Sequence, residues 1–74
     1  MQITVKLFAT FRIGRFAATT REVSTGTTIA SVIRELRLPE AQIGMIILNH
    51  RHADPERQLN DGDILSIFPL VGGG

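Results

Sequence analysis

Apolar and polar residues alternate at the start of the chain, as they do in a strand that buries one face. Within residues 2–8, QITVKLF, one face carries Ile3, Val5 and Leu7, and the other carries Thr4, Lys6 and Phe8. After a loop at residues 10–15, the threonine-rich segment 16–23, FAATTREV, is typical of a second strand. Two successive strands with a short connection predict a β-hairpin.

A helical spacing replaces the alternation in the third segment. Four apolar residues fall at positions i, i+3, i+4 and i+7 of one helical stripe: Ile29, Val32, Ile33 and Leu36. Thr28, or Thr27, is placed to cap the first turn through its side-chain oxygen. Pro39 disfavours helical geometry at Leu38, so we expect the helix to end there.

Three further strands are predicted in the second half of the chain: residues 45–48 (MIIL), residues 51–53 and residues 64–68 (ILSIF). Asn49-His50 and Asp61-Gly62 are typical turn sequences and separate these strands. Pro69 has no amide N–H to donate, and we expect it to end the last strand.

Counted without the short strand at residues 51–53, the order of these elements is ββαββ, which predicts an α+β fold of the β-grasp, or ubiquitin-like, type. In that fold a mixed sheet of four or five strands packs one helix against one of its faces. We expect residues 1–71 to form this domain and residues 72–74, Gly-Gly-Gly, to form a flexible C-terminal tail. Val71–Gly74 should be disordered in the free protein, because three glycines bury no side chains that offset the entropy cost of ordering them.

Composition narrows the classes of protein to which the chain can belong. With 74 residues and no cysteine, it lies near the lower size limit for a domain that folds alone, without disulfides to supplement the core. A net charge of +1 gives little long-range attraction to nucleic acid or anionic lipid. Neither a signal peptide nor a membrane span is predicted. We therefore expect a cytoplasmic protein that binds neither nucleic acid nor membranes and is a monomer when free.

The side chains offer few groups for catalysis. His50 and His52 could share one side of a short strand, with Asp54 nearby, but we interpret them as solvated turn residues and not as metal ligands. The carboxylates within residues 54–63 lack the spacing of an EF-hand, and their Asp-Gly-Asp sequence is explained by a turn. Three arginines make the first hairpin mildly basic: Arg12, Arg15 and Arg21. They form either a solvated face or a contact surface for an acidic partner.

The remaining candidate is the carboxylate that follows the glycines. A carboxylate is ionised at neutral pH and is a poor electrophile until a partner enzyme converts it to an acyl-adenylate with ATP. Glycines suit this chemistry because they are thin and have no Cβ that would obstruct attack. At about 3.3–3.6 Å per residue, Gly72–Gly74 reach about 10 Å beyond Val71, far enough to enter a buried active site.

Three motifs within this framework resemble a known family: Leu-Phe-Ala at residues 7–9, Asp-Gly-Asp at residues 61–63 and a Phe-Pro-x-Val-x-Gly-Gly ending at residues 68–74. The whole chain is similar to the MoaD/ThiS sulfur carriers, which comprise the small subunit of molybdopterin synthase and the sulfur carrier of the thiamine pathway. The resemblance implies that an E1-like adenylating enzyme activates the terminal glycine with ATP. The glycine then becomes a thiocarboxylate, and its sulfur is delivered to a cofactor precursor. On this interpretation the chain is a protein co-substrate, is not an enzyme on its own, and binds no cofactor itself.

The resemblance assigns roles by position. Gly73-Gly74 match the family's terminal pair, with Gly74 as the acyl site. Residues 7–9 and Arg12 match the first-strand motif of the molybdopterin branch, and Pro69 matches the first proline of its Pro-Pro-Val ending. The chain departs from that branch at three positions: Leu70 replaces a proline, Gly72 replaces a small polar residue, and His50 replaces a turn glycine. The resemblance to the superfamily is therefore stronger than the resemblance to this branch.

The resemblance leaves the acceptor of the sulfur open. The possible destinations of the sulfur are molybdopterin, thiamine, a tungsten cofactor and thiolated tRNA. Besides the activating enzyme, the expected partner is a molybdopterin synthase large subunit or a thiazole synthase. A ubiquitin-like modifier that joins Gly74 to lysines of target proteins begins with the same adenylate. A third interpretation, an interaction module in which the glycines have no role, is weakened because Pro69 and Val71 continue the family ending directly into the glycines.

A docking surface is expected at the root of the tail. The first and last strands of a β-grasp lie side by side, so if their aliphatic residues face the helix, Phe8 and Phe68 emerge together on the uncovered face. The predicted partner-binding residues are Phe8, Arg12, Phe68, Pro69, Leu70 and Val71. The alternative is that the loop from Phe11 to Phe16 folds over the two rings as a small satellite core.

Overall fold

Five strands and one α-helix form the part of the chain that the structure describes, residues 1–70 of a computed structural model. The elements are β1 (Gln2–Leu7), β2 (Ala18–Glu22), α1 (Ile29–Glu35), β3 (Ile43–Leu48), β4 (Arg51–His52) and β5 (Ile64–Pro69), with short 3-10 helices at Ala9–Arg12 and Glu40–Gln42. One sheet of order β2-β1-β5-β3-β4 results, in which β1 and β5 are parallel and the other pairs antiparallel. The predicted β-grasp fold is confirmed, with five strands. The prediction of disorder at Val71–Gly74 falls outside the described residues.

The alternation in β1 and β5 and the helical stripe of α1 build one core. Their fully buried side chains are Ile3, Val5, Leu7, Leu65 and Ile67 from the strands and Ile29, Val32 and Ile33 from the helix. With seven residues, α1 is too short to be stable alone, so this burial holds it on the sheet. No helix within residues 1–70 is long and apolar enough to cross a membrane.

A side-chain cap begins α1, as predicted. Thr28 Oγ1 accepts a hydrogen bond from the Ser31 amide at 3.2 Å, and Ser31 Oγ accepts one from the Thr28 amide at 3.1 Å. This reciprocal capping box satisfies two amide groups that have no partner inside the helix. Of the two threonines that the sequence offered, Thr28 is therefore the cap.

The other end of α1 differs from the prediction. The helix ends at Glu35, because Arg37 adopts a left-handed conformation with φ 57°. The Leu38 amide then donates to the Ile33 carbonyl at 3.2 Å, which closes the helix end. The expectation that Pro39 ends the helix was wrong, since the chain has already turned before it reaches the proline.

The connection between β1 and β2 is more ordered than the predicted loop. Ala9–Arg12 forms a 3-10 helix that buries Phe11 in the core, and Phe16 packs against the same core. β2 begins at Ala18, two residues later than predicted. The connection therefore helps to close the core instead of lying over solvent.

The last strand ends at Pro69, as predicted, and includes the proline itself as its final residue, one position beyond the predicted range of 64–68. The Leu70 amide donates to the Gln42 carbonyl at 2.8 Å, which places the N–H of Leu70 on the β3 side of β5. Because main-chain groups alternate along a strand, Pro69 faces the β1 side, where pairing has ended at Ile67. A proline is tolerated there because no ladder hydrogen bond is lost.

Candidate functional site

Phe8 and Phe68 stack on the face of the sheet opposite α1. Leu7 of β1 pairs with Ile67 of β5, and both side chains are buried, so the next residue of each strand points to the other face. The two ring centroids are 4.1 Å apart, and the ring planes differ by 10°. Both phenylalanines are half-buried. The structure thus brings the two predicted rings together near the end of β5.

Arg12 lies beside this pair of rings. The 3-10 helix at Ala9–Arg12 reverses the chain after β1 and returns Arg12 to the strand that precedes it. Its Nε donates to the Leu7 carbonyl at 2.9 Å, and its guanidinium carbon is 5.5 Å from the centroid of the Phe8 ring. A cation–π contact at an exposed site is worth about 0.5–1 kcal/mol, so Arg12 helps to fix the ring as well as supplying charge.

The other two arginines of the first hairpin point elsewhere. Arg15 donates to two main-chain carbonyls just beyond the end of α1, at 3.3 and 3.4 Å. Arg21 forms an ion pair with Glu35 at 3.1 Å. The three arginines therefore do not form one basic patch, and only Arg12 among them lies beside the rings.

The aromatic residues of the first connection do not cover the Phe8–Phe68 pair. Phe11 is 3% exposed and belongs to the core beneath α1, and Phe16 packs against that core. Neither contributes to a satellite core over the two rings. The rings consequently stay on a face of the sheet that no other aromatic side chain of residues 1–70 covers.

Further apolar side chains extend the same face, and two of them, Met45 and Ile47, were not assigned to it from the sequence. Met45 lies directly opposite Phe68 in the ladder, and Met45, Ile47 and Ile64 are half-buried. A shallow cavity of about 280 Å³ includes Lys6, Ile47, Ile64 and Phe68 in its lining. The apolar run MIIL predicted a strand, but a run without alternation does not indicate which residues share a face.

A β-bulge at Gly44 shifts the register at the start of β3. Ile43 pairs with Pro69 and Met45 pairs with Phe68, so Gly44 is an extra residue opposite a single step of β5. The bulge allows Ile43 to pack against the core while Met45 shares the open face with Phe68. An isolated glycine inside an apolar run was the available sequence signal for this irregularity.

The described chain ends at Leu70, whose side chain is 56% exposed, next to the half-buried Pro69. The amide of Leu70 is held by the hydrogen bond to Gln42. The remaining predicted site residues lie outside the described residues: Val71, Gly72, Gly73 and Gly74.

Of the residues considered for metal binding, His50 and Asp61 lie in turns, but His52 lies in the short strand β4, so its interpretation as a turn residue was wrong. Asn49 and His50 have positive φ angles of 50° and 75°, as a two-residue turn between β3 and β4 requires. Asp61 Oδ1 accepts the Gln2 amide at 2.7 Å and ties its turn to the start of β1. Within residues 1–70, no group of three or more His, Cys, Asp or Glu side chains could hold a metal ion.

Three solved structures illustrate what this chain is similar to. The putative molybdopterin converting factor subunit 1 of Pyrococcus furiosus is 25% identical, with 96% of this chain and 99% of that chain covered and a TM-score of 0.77. A chain from the complex of subunits 1 and 2 of the molybdopterin-converting factor of Helicobacter pylori is 23% identical, with 100% of both chains covered and a TM-score of 0.70. Small archaeal modifier protein 1 of Haloferax volcanii is 21% identical, with 95% of this chain and 98% of that chain covered and a TM-score of 0.77.

The match to a sequence family is more specific than these likenesses of fold. No curated protein matches the sequence. Residues 5–74, however, match the model of the ThiS family, and this range runs from β1 through the three glycines. The resemblance to the MoaD/ThiS proteins is thereby confirmed, and the chain belongs to the ThiS family of sulfur carriers.

Proposed function

We propose that this protein carries sulfur as a thiocarboxylate on Gly74 for the biosynthesis of a cofactor. The match of residues 5–74 to the ThiS family is the observation that carries the proposal. Two of the similar structures are named as molybdopterin converting factor, so we propose molybdopterin as the first acceptor pathway to test and thiamine as the second.

The proposed chemistry takes place in two steps on one carboxyl group. A carboxylate oxygen of Gly74 attacks the α-phosphorus of ATP, pyrophosphate leaves, and an acyl-adenylate forms. A hydrosulfide equivalent then attacks the carbonyl carbon: a C–S bond forms, the C–O bond to AMP breaks, and AMP and a proton leave. An E1-like enzyme binds ATP and supplies the catalytic groups, so this chain contributes the acyl group and the surface by which the enzyme orients it.

The open face around Phe8 and Phe68 is the proposed docking surface. Phe68 is two residues before Leu70, so a partner that binds the rings also lies close to the end of the described chain. The rings are fixed by stacking on each other, so little side-chain freedom is lost on binding. Lys6 and Arg12 are exposed beside the rings, which favours a partner with an apolar centre and carboxylates at its rim.

Two partners are expected to use this surface in turn. The activating enzyme converts Gly74, and a molybdopterin synthase large subunit or a thiazole synthase then takes up the sulfur. The Helicobacter pylori structure is a complex of subunits 1 and 2 of molybdopterin-converting factor, which supports a second subunit as partner. Because both partners must hold the same acyl group, their binding to this chain should be mutually exclusive.

A ubiquitin-like modifier is the alternative function. Its support is the likeness of fold to a small archaeal modifier protein, at 21% identity. A lysine amine of a target protein would then take the place of the sulfur nucleophile, and an isopeptide bond would form at Gly74 with release of AMP. The two functions share the adenylate, so only the product separates them.

The deciding experiment is intact-mass spectrometry after incubation with ATP, the cognate activating enzyme and sulfide. The wild-type chain should gain the mass of one sulfur in place of one oxygen, located on the C-terminal peptide. Deletion of Gly74, and addition of one residue after it, should each abolish the product while the circular dichroism spectrum is unchanged. Thiolation of the extended chain without trimming would contradict the proposal. Conjugates on cellular lysines without a detectable thiocarboxylate would select the modifier.

A further inference from the structure

Gly44 lies beside the end of β5 with no room for a side chain. A Cβ on this residue would be 2.7 Å from the Pro69 carbonyl oxygen and 3.0 Å from both Cα and N of Leu70. All three atoms belong to the main chain, so no rotamer change can relieve the overlap. The φ angle of Gly44 is not in the left-handed region, unlike those of Gly14 and Gly26. Glycine is therefore required at residue 44 for space and not for backbone conformation.

This close approach is what locates Leu70. Its side chain is 56% exposed, so packing contributes little to its position. Its amide is instead held by the 2.8 Å hydrogen bond to the Gln42 carbonyl, two residues before the bulge. Because Gly44 has no side chain, the main chain at the start of β3 can approach the Pro69–Leu70 peptide this closely.

We infer that Gly44 is a positioning residue for the activation of the chain's end. By seating Leu70 against β3, it fixes the residue to which residues 71–74 are joined, and hence the place at which Gly74 meets ATP in a docked enzyme. The inference rests on the proposed function for its last step. The open face then determines how tightly the partner binds, and the Gly44 contact determines how fast the bound chain is adenylated.

The test compares Gly44→Ala with the control Gly26→Ala. The added Cβ of Gly26→Ala meets nothing within 4 Å, but φ is +92°, so this control lowers stability by backbone strain far from Leu70. Two readouts are measured on each folded variant. The first is amide hydrogen exchange at Leu70. The second is KM and kcat for acyl-adenylate formation with the cognate activating enzyme, with ATP–pyrophosphate exchange as the assay. Gly44→Ala should speed exchange at Leu70 and lower kcat by about tenfold or more with KM nearly unchanged, because a misplacement of about 1 Å can cost up to about a hundredfold in rate. Gly26→Ala should change neither Leu70 exchange nor kcat.

A second variant tests the starting point without touching the sheet. One glycine inserted between Leu70 and Val71 leaves the Gly44 contact intact but lengthens the chain between Leu70 and Gly74 by up to about 3.3–3.6 Å. We expect kcat to fall and KM to stay nearly unchanged. This variant decides the question if Gly44→Ala does not fold.

Several outcomes would overturn the positioning role. These are a folded Gly44→Ala with wild-type kcat, equal losses of kcat in Gly44→Ala and Gly26→Ala, or an insertion variant that turns over like wild type. If the wild-type chain forms no adenylate, the proposed function fails and the role in activation fails with it. Exchange at Leu70 would then still show whether Gly44 seats that residue, so the two failures are distinguishable.

Discussion

Asp63 is the one charged residue that is buried within residues 1–70, at 7% exposure. Its Oδ1 accepts a hydrogen bond from Asn49 Nδ2 at 2.8 Å, and its Oδ2 accepts the Asn60 amide at 2.7 Å. Asn49 Oδ1 in turn accepts the Ile64 amide at 2.8 Å. The turn before β5 is thus joined to the turn after β3, and each polar group in the link has a partner. Burial of this carboxylate is acceptable because it accepts several hydrogen bonds.

We expect Asp63→Ala to lower the free energy of unfolding by about 1–3 kcal/mol. The substitution removes the acceptor of the Asn60 amide and of the Asn49 side chain and leaves both donors without it. Urea denaturation measures the change, with the exposed Asp54→Ala as matched control, which should stay within about 0.5 kcal/mol of wild type. Equal midpoints for the two variants would show that the link does not stabilise the fold.

The sequence predicted the Asp-Gly-Asp turn but not this link, and the reason is physical. A turn depends on neighbouring residues, whereas Asn49 and Asp63 are 14 positions apart and meet only after β3 and β5 pair. The stack of Phe8 and Phe68 was within reach of sequence reasoning, because parallel pairing of the first and last strands follows from the fold. The space requirement at Gly44 could not be predicted from the sequence, because it depends on a contact with the main chain of Pro69 and Leu70, which follow 25 and 26 positions later.

At the scale of elements, α1 is short and depends on its ends as well as its buried stripe. The stripe was read correctly from the spacing of its apolar residues, and so was the cap at Thr28. The C-terminal end of the helix was not predicted correctly. Arg37 adopts the left-handed conformation that glycine or asparagine usually adopts at a helix end, and an arginine in the sequence does not indicate this conformation. The guanidinium of Arg15 donates to the main chain at this end, which supplies partners that a longer helix would provide itself.

The capping box gives the prediction at this scale. Thr28→Ala should lower the free energy of unfolding by about 1 kcal/mol, because the amide of Ser31 loses its acceptor. Thr27→Ala is the matched control, since Thr27 is also half-buried and precedes the helix but does not cap it. Thermal and urea unfolding of both variants measure the difference. A loss as large in Thr27→Ala as in Thr28→Ala would mean that the cap is not the source of the stability.

Considered whole, the molecule divides its sheet between two tasks. One face, covered by α1, holds the fully buried core, and the other keeps half-buried side chains at the strand positions that alternate with the core: Phe8, Met45, Ile47, Ile64 and Phe68. A small domain has few residues to spare for an uncovered apolar surface, so a continuous one of this kind favours a protein partner. The surface also adjoins Leu70, so a partner docked on it would lie next to the end of the described chain.

This division predicts that removing a ring should weaken partner binding more than it weakens the fold. Phe8→Ala and Phe68→Ala should each raise the Kd for the activating enzyme by about thirtyfold, equivalent to about 2 kcal/mol, because each takes away an aromatic anchor and its stacking partner. The effect on the midpoint of thermal unfolding should be modest, since both rings are only half-buried. Ile13→Ala is the control: Ile13 is 74% exposed and lies outside the stack, so both Kd and thermal midpoint should stay at the wild-type values. A large loss of thermal stability in the phenylalanine variants, with Kd unchanged, would mean that the two rings stabilise the sheet and that the partner binds elsewhere.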